Sequence, residues 1–276
     1  MARITVQPLF EVPCPARSAA GGILPSRDKY SGHGALDSRV TDYFTIELKH
    51  THTNTMAFGT IYSYPHNPRV SKIQAVANIN GLTIESGEFE FHKTNKSPEF
   101  LAKFPSGKAP AFESADGVTL FESNAIAHFV AESGPAKEQL LGSSPAERAR
   151  IQQWVTFSET EVASHVVTCF LPRFGLVPYN KETDERALGN LERTLETLER
   201  HLNGKSWLAT GEKLSLADIA VASALIWGFM FSVDAEMREK YPVVVAWWKR
   251  VTESEGVKEA FGETKFVEKR TVPEAK

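Results

Sequence analysis

The chain has 276 residues, 42% of them hydrophobic and 24% charged, with a formal net charge of -3. That size and composition give a substantial core in one large or two small domains, which excludes disorder throughout. The near-neutral charge argues against a nucleic-acid-binding domain with a basic face.

Two cysteines, Cys14 and Cys169, fit neither a metal-ligand spacing nor a disulfide framework. A reducing, intracellular compartment is therefore expected. Residues 1 to 55 are rich in Gly, Ser, Pro and Thr and lack sustained periodicity. They read as a poorly ordered extension, with one alternating run, Tyr43 to Leu48, as an isolated strand and Met56 as an alternative start. Glu11 and three prolines interrupt any secretory signal, and acidic residues argue against a transit peptide.

From Gly59 the pattern is strand, helix, strand, helix, two strands, helix. "TIYSYP" is a strand by composition. Asn67 and Pro68 mark a helix start, and Val70, Ile73, Val76 and Ala77 carry the helix to Gly81. "LTIESGEFEF" alternates as a strand, and Ser97 with Pro98 opens the next helix. "PAFES" and "VTLFES" flank Asp116-Gly117 as a hairpin, and "SNAIAHFVAES" is a short helix. These elements form a domain over 56–136, with the boundary in "SGPAKEQLLGSSPAE".

The region 145–265 reads as all helical, with 266–276 as a tail. Ile151, Trp154, Val155, Phe157 and Val162 mark one long amphipathic helix, and Leu188, Leu191, Leu195, Leu198 and Leu202 form a seam on another. Ser215 and Asp218 make a capping box, with Leu214 and Ile219 as its staple. The apolar run Leu214 to Val233 contains Asp218 and reads as a buried helix rather than a membrane span. Pro242 opens the last helix, which carries Trp247 and Trp248. His50 and His52 lack a third partner for a metal, so no metal site is expected.

The motifs "GTIYSYPHNPR", "NKSPEFLAKFPSGKAPAFE", "FESNAIA", "QWVTFSE" and "SLADI", in that order, resemble the glutathione transferase family. The likeness runs from about Met56 to about Lys269. It is closest to the transferase-like domain of the gamma subunit of translation elongation factor 1 and to related free-standing fungal transferases. The resemblance implies an α/β thioredoxin-like domain followed by an all-α domain, glutathione as co-substrate, a cytoplasmic homodimer and no membrane partner. Detoxification and secondary metabolism are the settings it suggests. The chain ends at Lys276 without the Lys-rich linker and second domain of the elongation-factor subunit. The expectation is therefore a free-standing enzyme acting on a small electrophile, a peroxide or a disulfide; the alternative is a non-catalytic scaffold for another elongation factor 1 subunit.

Glutathione brings two carboxylates, an amine and a thiol that reacts as thiolate. Asn67, at the position that resembles the catalytic one, can donate to the sulfur where the helix dipole also acts, or can simply cap its helix. Tyr62 and Tyr64 are rivals, and Arg69 reaches the site or faces solvent. By resemblance, Pro110 is cis and leaves the backbone of Ala109 to pair with the cysteinyl unit. Ser123 opens a helix and can hold the γ-glutamyl carboxylate, with Glu122 accepting from its amine. Lys108 and Lys96 can meet the glycyl carboxylate, or remain solvated. Trp154, Phe157, Phe170, Trp227 and Phe229 read as core, some of them lining the electrophile pocket.

Overall fold

The computed structural model describes residues 57–273. The extension over 1–55, its strand at Tyr43 to Leu48, Met56, Cys14, and the pair His50 and His52 lie outside the described residues.

Strand β1 (Gly59–Tyr62) leads into helix α1 (Pro68–Ile79), which crosses back to β2 (Ile84–Ser86). A 3-10 turn (Thr94–Lys96), α2 (Pro98–Lys103), β3 (Ala111–Ser114), β4 (Thr119–Phe121) and α3 (Ser123–Glu132) follow. The sheet order is β2-β1-β3-β4, with β1 and β2 parallel and the other pairs antiparallel. This is a thioredoxin-like sheet. Alternation along β1 divides its side chains: Ile61 enters the main core with Ile73, Val76, Phe112 and Ile126, while Tyr62 packs on Phe100, Phe104 and Ala111 on the α2 side.

The strand expected over "LTIESGEFEF" is shorter than its alternation suggests. It pairs only with β1, from Ile84 to Ser86, and the N–H of Gly87 closes the ladder on the carbonyl of Ile61. A Cβ at Gly87 would lie 2.4 Å from the ring of Tyr62, so the chain passes that ring as glycine and leaves the sheet. Phe89 then packs against Phe100, and Phe91 against Tyr64. The alternation of "GEFEF" therefore records an aromatic cluster rather than a ladder.

The boundary segment is not a bare linker. It contains α4 (Lys137–Leu141), whose Leu140 is fully buried. Asn80 anchors it by accepting from the N–H of Ala136 at 2.8 Å and donating to the carbonyl of Val130 at 2.9 Å. Ser144 and Glu147 form a capping box that opens α5 (Pro145–Phe157).

The expected long helix is interrupted: α5 runs into a π-helical segment (Ser158–Ala163) before α6 (Ser164–Arg173). Next come α7 (Lys181–Leu202), α8 (Leu216–Phe231), α9 (Ala235–Lys240), α10 (Pro242–Thr252) and α11 (Val257–Phe261). The seam of α7 holds Leu191, Leu195, Leu198 and Leu202, but its first turns bury Asp184 and Ala187 while Leu188 is half-buried. Helix α10 is not the last: Gly256, at φ 80°, turns the chain into α11, which packs on α1. That helix is too short for periodicity to reveal.

The apolar run is α8, buried along nearly its whole length, and among the described residues no helix is long and apolar enough to cross a membrane. Asp218 is fully buried at its start. It accepts from the N–H and hydroxyl of Ser215, the N–H of Leu208 and Nε1 of Trp247 at 2.8–3.1 Å. Residues 266–270 of the expected tail are docked on the helical domain. Phe266 lies against Phe229 and Trp248, and the N–H of Val267 donates to the carbonyl of Phe229.

Candidate functional site

Strand register gathers three segments that are far apart in sequence. Tyr62 stands opposite Ala111, and Ala111 stands opposite Phe121. The residues that leave the sheet at that end are Ser63 to Asn67 after β1, Ala109 and Pro110 before β3, and Glu122 and Ser123 after β4. The Ala109-Pro110 bond is cis.

Asn67 caps α1: its Oδ1 accepts from the N–H of Arg69 at 3.1 Å, and Pro68 takes the first helical position, where no N–H is needed. The residue is 1% exposed. Its Nδ2 donates to Oγ of Ser63 at 3.0 Å. Ser63, which the sequence reading passed over, is thereby oriented, and its hydroxyl proton remains for a further acceptor. The available signal was its spacing: a small hydroxyl four residues ahead of the cap, across a left-handed turn at His66 (φ 58°).

The two tyrosines are placed differently. The hydroxyl of Tyr62 donates to Glu113 at 3.5 Å, and Glu113 is paired with Lys103 at 2.7 Å, all on the α2 side of the sheet. Tyr64 meets Phe91 edge to face, and burial raises its pKa against the opposing effect of Arg69. A phenol made harder to ionise is a weak activator of a thiol.

Ser123 is 4% exposed and is the first residue of α3, while Glu122 stands at the N-cap position with φ 69° and no side-chain cap. Left-handed backbone at a non-glycine residue is strain that the surrounding structure must hold. It aims the opening N–H groups of α3, which have no partner inside the helix, at the end of the sheet. Glu122 itself is exposed.

Lys96 and Lys108 are both exposed. The buried Asn95 ties their loops together: its Nδ2 donates to the carbonyl of Gly107 at 2.8 Å, and its Oδ1 accepts from the N–H of His92 at 2.7 Å.

An ionic cluster joins the two domains. Arg69 pairs with Glu159 at 3.1 Å, so it faces the helical domain rather than open solvent. Lys72, 1% exposed, donates to Oδ1 of Asn124 and to Oε1 of Glu159, the latter at 3.4 Å. Burial lowers the Lys72 pKa to about 8 from 10.5, with Glu159 opposing the shift. Burial raises the carboxyl of Glu159, but Lys72 and Arg69 outweigh it and the net direction is down. Glu159 sits in the π-helical segment, a feature that concentrates at functional sites.

Pro68, Arg69, Glu159, Val166 and Trp227 line a cleft beside this cluster. Trp227 stacks on Phe170 at 4.2 Å, whereas Phe229 and Trp154 belong to the core and Phe157 packs against it. The Cys169 thiol is buried and pushed up to about 12, which keeps it protonated and inert. Among the described residues, no group of three or more His, Cys, Asp or Glu could hold a metal ion.

Two family models match the chain. "Glutathione S-transferase, N-terminal domain" covers residues 57–132, and "Glutathione S-transferase, C-terminal domain" covers residues 160–255. A glutathione S-transferase-like protein of Fusarium sp, LUC7, is 48% identical over 217 residues, which span 79% of this chain and 99% of that protein. Elongation factor 1-gamma of Carassius auratus is 38% identical over 225 residues, 80% of this chain but only 50% of that protein. Among solved structures, the GST-like domain of elongation factor 1-gamma from Saccharomyces cerevisiae superposes with a TM-score of 0.69 at 26% identity. That match covers 79% of this chain and all of the yeast domain.

Proposed function

We propose a function from one premise: the chain belongs to the glutathione S-transferase family. It binds glutathione at the end of the thioredoxin-like sheet and ionises the thiol for addition to a small electrophile or for reduction of a peroxide or disulfide. The observation that carries this reading is the register Tyr62–Ala111–Phe121, which collects a helix start with a positioned hydroxyl, a cis-proline and an anion-accepting helix end.

Each segment has a task in that chemistry. The N–H groups and hydroxyl at Ser123 take the γ-glutamyl carboxylate, and Glu122 accepts from the neighbouring amine. The backbone of Ala109 pairs with the cysteinyl unit. Lys108 and Lys96 offer point charges to the glycyl carboxylate. The sulfur lies at the start of α1, where Ser63 donates, Asn67 orients Ser63, and the helix dipole favours negative charge. The second substrate approaches from the helical-domain side, where Trp227 and Arg69 border a narrow cleft. A cytoplasmic homodimer serving detoxification or secondary metabolism fits this reading.

The second reading is a scaffold in the elongation factor 1 complex. The 38% identity to the gamma subunit, confined to half of that protein, favours it. Titration calorimetry separates the two. An enzyme of this kind binds glutathione, and Ser123→Ala weakens binding at least about tenfold, since a hydrogen bond to a charged group contributes roughly 1.5–3 kcal/mol. Absence of any glutathione binding by the unmodified chain overturns the enzyme reading. Unchanged affinity in a folded Ser123→Ala variant moves the carboxylate site elsewhere.

A further inference from the structure

A lysine that is 1% exposed needs a reason, because its helix face otherwise carries Ile73, Val76 and Ala75, and an apolar residue would pack there without desolvating a charge. The partners of Lys72 give that reason. Asn124, the second residue of α3, accepts from the ammonium, and its own Nδ2 donates to the carbonyl of Val155 in α5 at 3.1 Å. Glu159, from the π-helical segment, accepts from the same ammonium. The side chain on α1 thus touches the opening turn of α3 and the helical domain at once.

We infer that Lys72 is a positioning residue for glutathione: by holding Asn124 against the helical domain it sets the opening N–H groups of α3, next to Ser123, in the place where the γ-glutamyl carboxylate is received. The inference rests on the proposed function and deepens it.

Three charged groups face Lys72: Glu159 from the helical domain, Arg69 on its own helix and Glu122 at the cap of α3. Helices α8 and α11, also packed on α1, bring no charged group to it among the described residues. A carboxylate arriving at the end of α3 adds negative charge near the ammonium and favours its protonated form. Binding therefore takes up a proton when the free protein has partly lost it. Affinity falls as the pH rises through about 8, because protons must then be supplied on binding.

The test uses S-methylglutathione, which has no thiol to titrate, and calorimetry between about pH 6.5 and 8.5. Lys72→Met is expected to fold, because Glu159 keeps Arg69 as partner. It should bind about tenfold more weakly at neutral pH and show a shallower alkaline fall in affinity than the unmodified chain, the remaining fall being that of the ligand's own amine. Asn124→Ala cuts the same tie while leaving Lys72 paired with Glu159, and it should show the same weakening. It decides the matter should the lysine variant fail to fold. If the unmodified chain does not bind S-methylglutathione, the proposed function falls and this inference with it. If it binds, and the folded variants bind equally well with an unaltered pH profile, the positioning role alone is overturned.

Discussion

Replacing Asn67 by Asp separates the two tasks assigned to that residue. The carboxylate keeps the acceptor for the N–H of Arg69, so the cap survives, and a negative charge at a helix start adds about 0.3–1 kcal/mol. The donor to Ser63 is lost, and a charge appears beside the sulfur. Nδ2 of Asn67 lies 3.0 Å from Oγ of Ser63. A thiolate accepting from that hydroxyl would be roughly 5–6 Å from the new carboxylate, given hydrogen-bond lengths of about 3 Å. Two unit charges at that separation, with an effective dielectric constant of about 20, repel by roughly 3 kcal/mol, or about two pKa units. The Asn67→Asp variant places a carboxylate where the residue is 1% exposed, so desolvation outweighs the dipole gain and it should melt below the unmodified chain, while raising the pKa of bound glutathione by roughly one to two units. Thiolate absorbance near about 240 nm follows that ionisation, and conjugation rates should fall most at mildly acidic pH. A folded variant with an unshifted thiol pKa would refute the placement of the sulfur at the start of α1.

Two further outcomes follow from buried charge. Asp218→Ala strands four buried donors at about 1–3 kcal/mol each, so urea unfolding should show a loss of at least about 4 kcal/mol, against a typical total of roughly 5–15; a loss under about 2 would contradict the bonding described. Lys72 has a folded pKa near 8, below 10.5 in the unfolded chain, so above pH 8 the unfolded state binds more protons and the stability contributed by this group rises with pH. Relative to Lys72→Met, the unmodified chain should gain up to roughly 3 kcal/mol between about pH 7.5 and 10, measured by urea unfolding; a constant difference between the two would contradict it.

Local signals carried much of the fold. Asn67-Pro68, Ser97-Pro98 and Asp116-Gly117 each fix a backbone direction within a few residues, and the structure places a helix start or a hairpin at each. What escaped the sequence depends on distant partners. Lys72 reads as an ordinary helical lysine until Glu159, 87 positions away, and Asn124 close over it. The π-helical segment leaves the apolar spacing of "QWVTFSE" nearly intact, so periodicity reports one helix where there are three segments. Ser63 was passed over for another reason: its four-residue spacing from Asn67 was legible, but the left-handed turn at His66 that brings the two together falls on a non-glycine residue that does not announce it. For Tyr62, alternation assigns neighbours to opposite faces without saying which face packs on Phe100 and Phe104.

The most direct measurement is a pH titration of glutathione bound to the unmodified chain, read by thiolate absorbance and paired with its binding isotherm. Glutathione should bind, and its thiol should ionise at least about one unit below the roughly 8.5 of an unperturbed thiol, because Ser63, the backbone at Ala109 and the start of α1 all favour the thiolate. No binding, or a bound thiol that ionises as it does in water, would contradict thiol activation at this site.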